Sequence, residues 1–209
     1  MLRDYFNRLL AAAVGKAASP PHPAEVHHAV RGFSVSVINE RPEIETAEAL
    51  QRLEAALDLI AKHTPRRFRR LSYDLAGFWV RRFPCRAAFY PEPRACLVEL
   101  TFLVNPRHTA AEVAASIVHE GVHARIARSG ALVAGADAKA REERLCRQAE
   151  LEFGLALGNE EPGRDVVLDR ARQSLLLADQ EVAPSIDWSL AAARVAEADR
   201  ASRRSDSPH

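Results

Sequence analysis

The sequence predicts an α+β domain in which a small antiparallel sheet packs on one central helix, with additional helices flanking both sides. Three observations predict it. Residues 95–104, ACLVELTFLV, form a β-rich run that leads directly into a helix cap. From Ala110 onward, Val113, Ala114, Ile117, Val118, Val122 and Ile126 recur at three- and four-residue steps, the period of a helix. That helix carries His119-Glu120-Gly121-Val122-His123, an HExxH motif. A chain of 209 residues, 47% hydrophobic and 27% charged, is long enough for one core of domain size.

Residues 1–18 read as an amphipathic helix, and Ser19-Pro-Pro-His-Pro23 breaks it, so residues 1–23 form an N-terminal helix and Pro-rich linker. His22, His27 and His28 cluster just after, as loop histidines. Phe33, Val35 and Val37 alternate with serines, which predicts a strand. Pro42 opens a helix through about His63, burying Ile44, Ala47, Leu50, Leu53, Leu57 and Ile60. A further strand is expected between Phe68 and Val80. Residues 85–90 and 95–104 form a hairpin around the Pro91-Glu92-Pro93 turn, with Val98, Leu100 and Phe102 on one face. Leu97, Glu99, Thr101 and Leu103 take the other face.

Thr109-Ala-Ala-Glu112 fits a capping box at the start of the motif helix, and Gly130 fits its stop. A second helical pattern runs from about Ala138 to Leu157. A Gly- and Pro-containing loop follows, then helical stretches near 166–181 and 186–201. The expected organisation is a catalytic domain over 24–160, a helical extension over 161–201 and a disordered tail over 202–209. There is no internal repeat.

The chemistry is concentrated in the motif. Two histidines four residues apart point the same way from a helix, so His119 and His123 can hold one metal ion, with Glu120 beside the open coordination position. This arrangement predicts a hydrolytic zinc site: neutral imidazoles bind Zn2+ at about 2.0–2.1 Å, and Glu120 is the general base for a zinc-bound water attacking a carbonyl. The plainer reading is a pair of core histidines hydrogen-bonded to neighbours. Gly121 costs the helix roughly 1 kcal/mol relative to Ala and leaves room for a close approach.

A catalytic zinc ordinarily has three protein ligands, and the second helix offers Glu142, Glu143 and Glu150. Glu142 falls on the stripe of Leu145, Ala149 and Phe153, where a lone carboxylate needs a partner. Glu143 lies about 100° around, on the face shared with Cys146 and Glu150. All three could instead form a solvated acidic face paired with Arg144 and Arg147.

On these residues the chain resembles the zincin metallopeptidases, in particular the glutamate-liganded gluzincins. It also looks like a group of small uncharacterised bacterial proteins that share LDLIAKHTPRRFRRL over 57–71, a polar strand, the 119–123 motif, and Glu143-Arg-Leu-Cys146 with Glu150 and Phe153. The resemblance covers about residues 44–157 and implies a zincin-like fold and a zinc metallopeptidase acting on a peptide or protein. In many gluzincins the third ligand follows the motif at the interval of Glu142. The small bacterial proteins carry an apolar residue there and a glutamate at Glu143, which implies Glu143 as the ligand and Glu150 as a support for a histidine or an arginine.

The remaining features set limits. Tyr73, Tyr90, His108 and Arg125 are candidate oxyanion donors that sequence cannot separate. Arg66, Arg67, Arg69, Arg70, Arg81, Arg82, Arg86 and Arg94 crowd the region expected to be sheet; a solvated basic face is the leading reading, ahead of an acidic substrate or stacked nucleic acid. With net charge +1 and no nucleic-acid motif, no nucleic-acid partner is expected. No apolar run reaches membrane-spanning length, and Cys85, Cys96 and Cys146 are not spaced as a disulfide framework, so the expected location is the cytoplasm. The sequence thus predicts a zinc metallopeptidase, with a non-catalytic zinc-containing interaction or regulatory module on the same scaffold as the alternative.

Overall fold

In the computed structural model, residues 23–130, 137–183 and 187–205 are described. The expected N-terminal helix, most of the linker with His22, the loop around Gly135 and the last four residues lie outside them. The described chain is α+β. It has five strands, β1 (Glu25–Val30), β2 (Phe33–Ile38), β3 (Gly77–Arg81), β4 (Ala87–Tyr90) and β5 (Ala95–Glu99). Eight helices accompany them: α1 (Thr46–His63), α2 (Pro65–Asp74), α3 (Leu100–Val104), α4 (Ala110–Ser129), α5 (Ala138–Ala156), α6 (Arg164–Leu176), α7 (Asp179–Val182) and α8 (Trp188–Ser205). None of the described helices is long and apolar enough to cross a membrane.

The strand order is β1-β2-β3-β5-β4. The sheet is mixed, which corrects the expectation of an antiparallel one: β1–β2 and β4–β5 are antiparallel, but β2–β3 and β3–β5 are parallel. The reason is the crossover. Between β2 and β3 the chain passes through α1 and α2 and re-enters the sheet from the same end, which a helical connection permits and a tight turn does not. The β4–β5 hairpin then places β4 on the outside, so β5 lies parallel to β3. At the other edge, Arg31 and Gly32 both take positive φ, 51° and 84°. These are the backbone angles of a two-residue primed turn whose twist matches its strands.

Several local expectations shift for identifiable reasons. His27 and His28 sit exposed on β1, an edge strand, not in a loop. Arg66, Arg67, Arg69 and Arg70 belong to α2, which starts with Pro65 at its first turn and buries Leu71. The strand expected within 68–80 is present as Gly77–Arg81, at the C-terminal end of that range. The β-rich run also ends early, because the Glu99 carboxylate accepts from Phe102 N at 2.6 Å and from Thr101 Oγ1 at 2.7 Å. That cap turns Leu100–Val104 into a short helix.

The motif helix α4 begins as the sequence indicates. Thr109 N donates to Glu112 at 2.9 Å and Glu112 N to Thr109 Oγ1 at 3.3 Å, a complete capping box, and Gly130 closes the helix with φ 64°. Residues 111–120 are buried on every side, not along one stripe. The helix lies between the sheet, α1 and α5, with Leu53, Leu57, Ile60, Phe78, Val98, Ile117 and Phe153 in the shared core. A smaller cluster of Ala88, Tyr90 and Leu97 with Trp79 and Phe83 covers the opposite face of the sheet.

Candidate metal centre

The site is built where α4 packs on α5. Gly121 makes one close approach possible: a Cβ there would stand 2.3 Å from Leu71 Cδ2, so it is α2, not a substrate, that uses the space. On the adjoining face, His119 and His123 aim their rings at α5, with His119 and Glu120 each only 8% exposed.

The Nδ1–H of His119 donates to Glu150 at 2.7 Å, and the Nδ1–H of His123 donates to Glu142 at 2.7 Å. Those two bonds fix the tautomers and leave both Nε2 lone pairs facing inward, 3.2 Å apart. The Glu143 carboxylate lies against the same point, 3.3 Å from His119 Nε2 and 3.6 Å from His123 Nε2. Acceptors therefore converge in a buried place, and a cation is needed among them. Without metal the cation is a proton. Burial opposes it, but the hydrogen bonds to Glu143 and Glu150 and the charge of Glu120 outweigh burial and raise His119 to about 9. Glu143 is held below the ordinary carboxylate range because its hydrogen bond and attraction to His119 exceed the opposing effect of burial.

A divalent ion fits the same space. With metal–nitrogen and metal–oxygen bonds of about 2.0–2.2 Å, neighbouring donors in a tetrahedral sphere stand about 3.3–3.6 Å apart. The nitrogen–nitrogen separation of 3.2 Å is close to such an edge, and the two Glu143 oxygens lie one against each ring, Oε2 3.3 Å from His119 Nε2 and Oε1 3.6 Å from His123 Nε2.

The three glutamates thus take distinct places. Glu143 faces the Nε2 atoms, while Glu142 and Glu150 hold the outer ring nitrogens. Glu142 is not on a fully apolar stripe, since Leu145 is 52% exposed. Glu150 is 1% exposed and also accepts from Arg147 Nη1 at 2.7 Å and Arg170 Nη2 at 3.2 Å. Burial alone would raise its carboxyl, but His119 and the two guanidiniums hold it at about 2. Of the two arginines in the alternative reading of a solvated acidic face, Arg147 pairs with Glu150, whereas Arg144 turns to Asp179 on α7.

Cys146 is the residue that sequence reasoning missed as a donor. Its Sγ is 3.5 Å from His123 Nε2, and one donor atom each from His119, His123 and Cys146 lie within 4.8 Å of one another. The signal was present, because Cys146 follows Glu143 by one helical turn. Burial and the charges of Glu143 and Glu120 push its thiol up, so the metal-free protein keeps a neutral S–H there.

The Glu120 carboxylate makes no hydrogen bond or ion pair among the described residues. Of the expected oxyanion donors, none bonds to the imidazoles or to Glu143 among the described residues. Tyr73 is exposed under Arg128, and His108 binds Glu112. Tyr90 is buried in the far cluster with an unpaired hydroxyl. Arg125 lines a cavity of about 280 Å³ on the α2 flank of α4, with Leu71, Asp74 and Glu152, and neither imidazole lines it. The basic residues also disperse: Arg82 pairs with Glu99 and Asp199, Arg67 with Glu152, and Arg81 lies over Trp79. Comparison with family models, with curated proteins and with solved structures gives no match.

Proposed function

We propose that this protein is a zinc-dependent hydrolase of the zincin type, acting on peptide bonds, with His119, His123 and Glu143 as metal ligands. The observation that carries the reading is the convergence of two imidazole lone pairs and a carboxylate on one buried point, with each outer ring nitrogen already bound to a glutamate. Metal-binding histidines are characteristically held this way, because the outer carboxylate fixes the ring and strengthens the ligand. A zinc ion there would supply Lewis acidity, acidifying a water and polarising a carbonyl.

Glu120 is the general base in this reading. It follows His119 directly, is nearly buried, and its carboxylate has no hydrogen-bond partner among the described residues to compete for its lone pairs. It takes a proton from the attacking water and returns it to the leaving amine. Strand β4, the outer strand of the sheet, packs beside α4 and offers a backbone edge to an extended peptide. The free thiols of Cys85, Cys96 and Cys146 support a reducing compartment such as the cytoplasm.

The test combines metal analysis with hydrolysis of a mixed peptide library. Wild type binds one zinc and His119→Ala does not. Glu120→Gln keeps zinc and loses at least about 100-fold in rate, the scale of a general base. Full zinc in His119→Ala would remove the site. Equal activity of wild type and Glu120→Gln on every peptide would leave the second reading, a non-catalytic zinc-containing module, which the nearness of a fourth donor, Cys146, favours.

A further inference from the structure

We infer that the Cys146 thiolate is a fourth protein ligand, so that the centre rests closed with two nitrogens, one oxygen and one sulfur, and opens for hydrolysis only when the sulfur leaves. This deepens the metal-site reading above and rests on it. With metal–sulfur at about 2.3 Å and metal–nitrogen at about 2.0–2.1 Å, adjacent sulfur and nitrogen donors stand about 3.5–3.6 Å apart in a tetrahedron. The Sγ to His123 Nε2 separation is 3.5 Å. Glu143 and Cys146 are three residues apart on α5 and His119 and His123 four apart on α4; donor atoms of His119, His123 and Cys146 lie within 4.8 Å of one another, and the Glu143 carboxylate meets both imidazoles.

Cys146 is fully buried beneath this point. The other two cysteines are engaged at the hairpin, where the Cys85 thiol meets the Ala87 carbonyl at 3.0 Å and the Cys96 thiol the Leu97 carbonyl at 3.8 Å. Thiolate is also a preferred zinc donor, and four protein donors are the mark of a closed site, whereas hydrolytic centres keep a position open. Binding of a metal there would release the thiol proton to solvent, and departure of the Cys146 sulfur would return one position to solvent with no oxidant or reductant required.

Cobalt(II) substitution of the full chain tests the ligand. Wild type is expected to bind one cobalt with the intense near-ultraviolet absorption of a thiolate-to-cobalt transition. Cys146→Ala and Cys146→Ser are expected to bind cobalt at least tenfold more weakly and without that absorption. Cobalt bound by wild type without the absorption, or absorption retained in both variants, overturns this inference and leaves the three-ligand centre standing. No stoichiometric cobalt in wild type overturns both.

Peptide hydrolysis by the zinc forms tests the closed state. Cys146→Ala is expected to be at least tenfold faster than wild type, and equal measurable rates overturn the closed resting state. If neither cleaves any peptide, the hydrolase reading and the opening step fall, while the cobalt absorption still decides the ligand.

Discussion

Replacing Glu150 by Gln tests whether the buried charge cluster holds the site together. Glu150 is 1% exposed and accepts from His119 at 2.7 Å, Arg147 at 2.7 Å and Arg170 at 3.2 Å. Gln keeps the shape and one carbonyl acceptor but removes the charge, so at most one or two of these bonds survive, each weaker. A hydrogen bond to a charged group contributes roughly 1.5–3 kcal/mol, and opening a buried ion pair costs about 3–5 kcal/mol. The side chains of Arg147 and Arg170 are still 26% and 24% exposed, so water recovers part of the loss. The expected cost is therefore about 2–4 kcal/mol in the metal-free protein. Urea unfolding in the presence of a chelator measures it. The same change loosens the His119 ring, which should weaken zinc binding about 10- to 100-fold, or about 1.4–2.7 kcal/mol, in a chelator competition. A variant that unfolds within about 0.5 kcal/mol of wild type and binds zinc within about twofold would show that Glu150 neither supports the core nor orients His119.

Three further outcomes follow from the geometry. Glu143→Gln should weaken zinc binding more than Glu142→Gln, whose loss should be about 10- to 100-fold, because Glu143 meets Nε2 and Glu142 only Nδ1; the reverse order by chelator competition would make Glu142 the ligand. Gly163→Ala should cost about 2–4 kcal/mol by urea unfolding. Gly163 has φ 85°, and an added Cβ would stand 1.9 Å from Thr109 Oγ1, the cap of the motif helix; a change below about 0.5 kcal/mol would refute that packing. The last concerns pH. Burial opposes ionisation of Glu112, but hydrogen bonds from Thr109 and His108 hold its carboxyl below the usual range. A lowered folded pKa contributes stability that is complete above the unfolded value of about 4.3 and is lost as pH falls through the folded one. The stability gap between wild type and Glu112→Gln should thus be full at neutral pH and shrink in acid, and a pH-independent gap would contradict this.

Local signals were the legible part of the fold. The Thr109–Glu112 box, the Gly130 stop, the serine alternation of β2 and the hairpin at Pro91–Pro93 each depend on residues within one or two turns. The errors arose where an element draws its pattern from elsewhere. Helix α2 is amphipathic, with Phe68 and Leu71 three residues apart, but it is short and so rich in arginine that few apolar residues mark its period. The run after Ala95 is β-rich throughout, yet the cap made by Glu99 ends the strand. Strand direction depends on where the crossover re-enters the sheet, which no window of residues encodes.

The candidate site divides in the same way. His119, Glu120 and His123 could be read from sequence because a four-residue helical step places two rings on one face, whatever surrounds the helix. The order of the three glutamates and the part of Cys146 could not, because helical angle alone leaves several residues of α5 within reach. The packing of α5 on α4 sets which atom meets which. It sends Glu142 and Glu150 to the outer nitrogens and brings Glu143 and Cys146 to the inner ones. The sequence by itself determined that two imidazoles would point together, and the tertiary structure decided what they point at, because donor separations of a few ångströms are fixed only when two helices lock against each other.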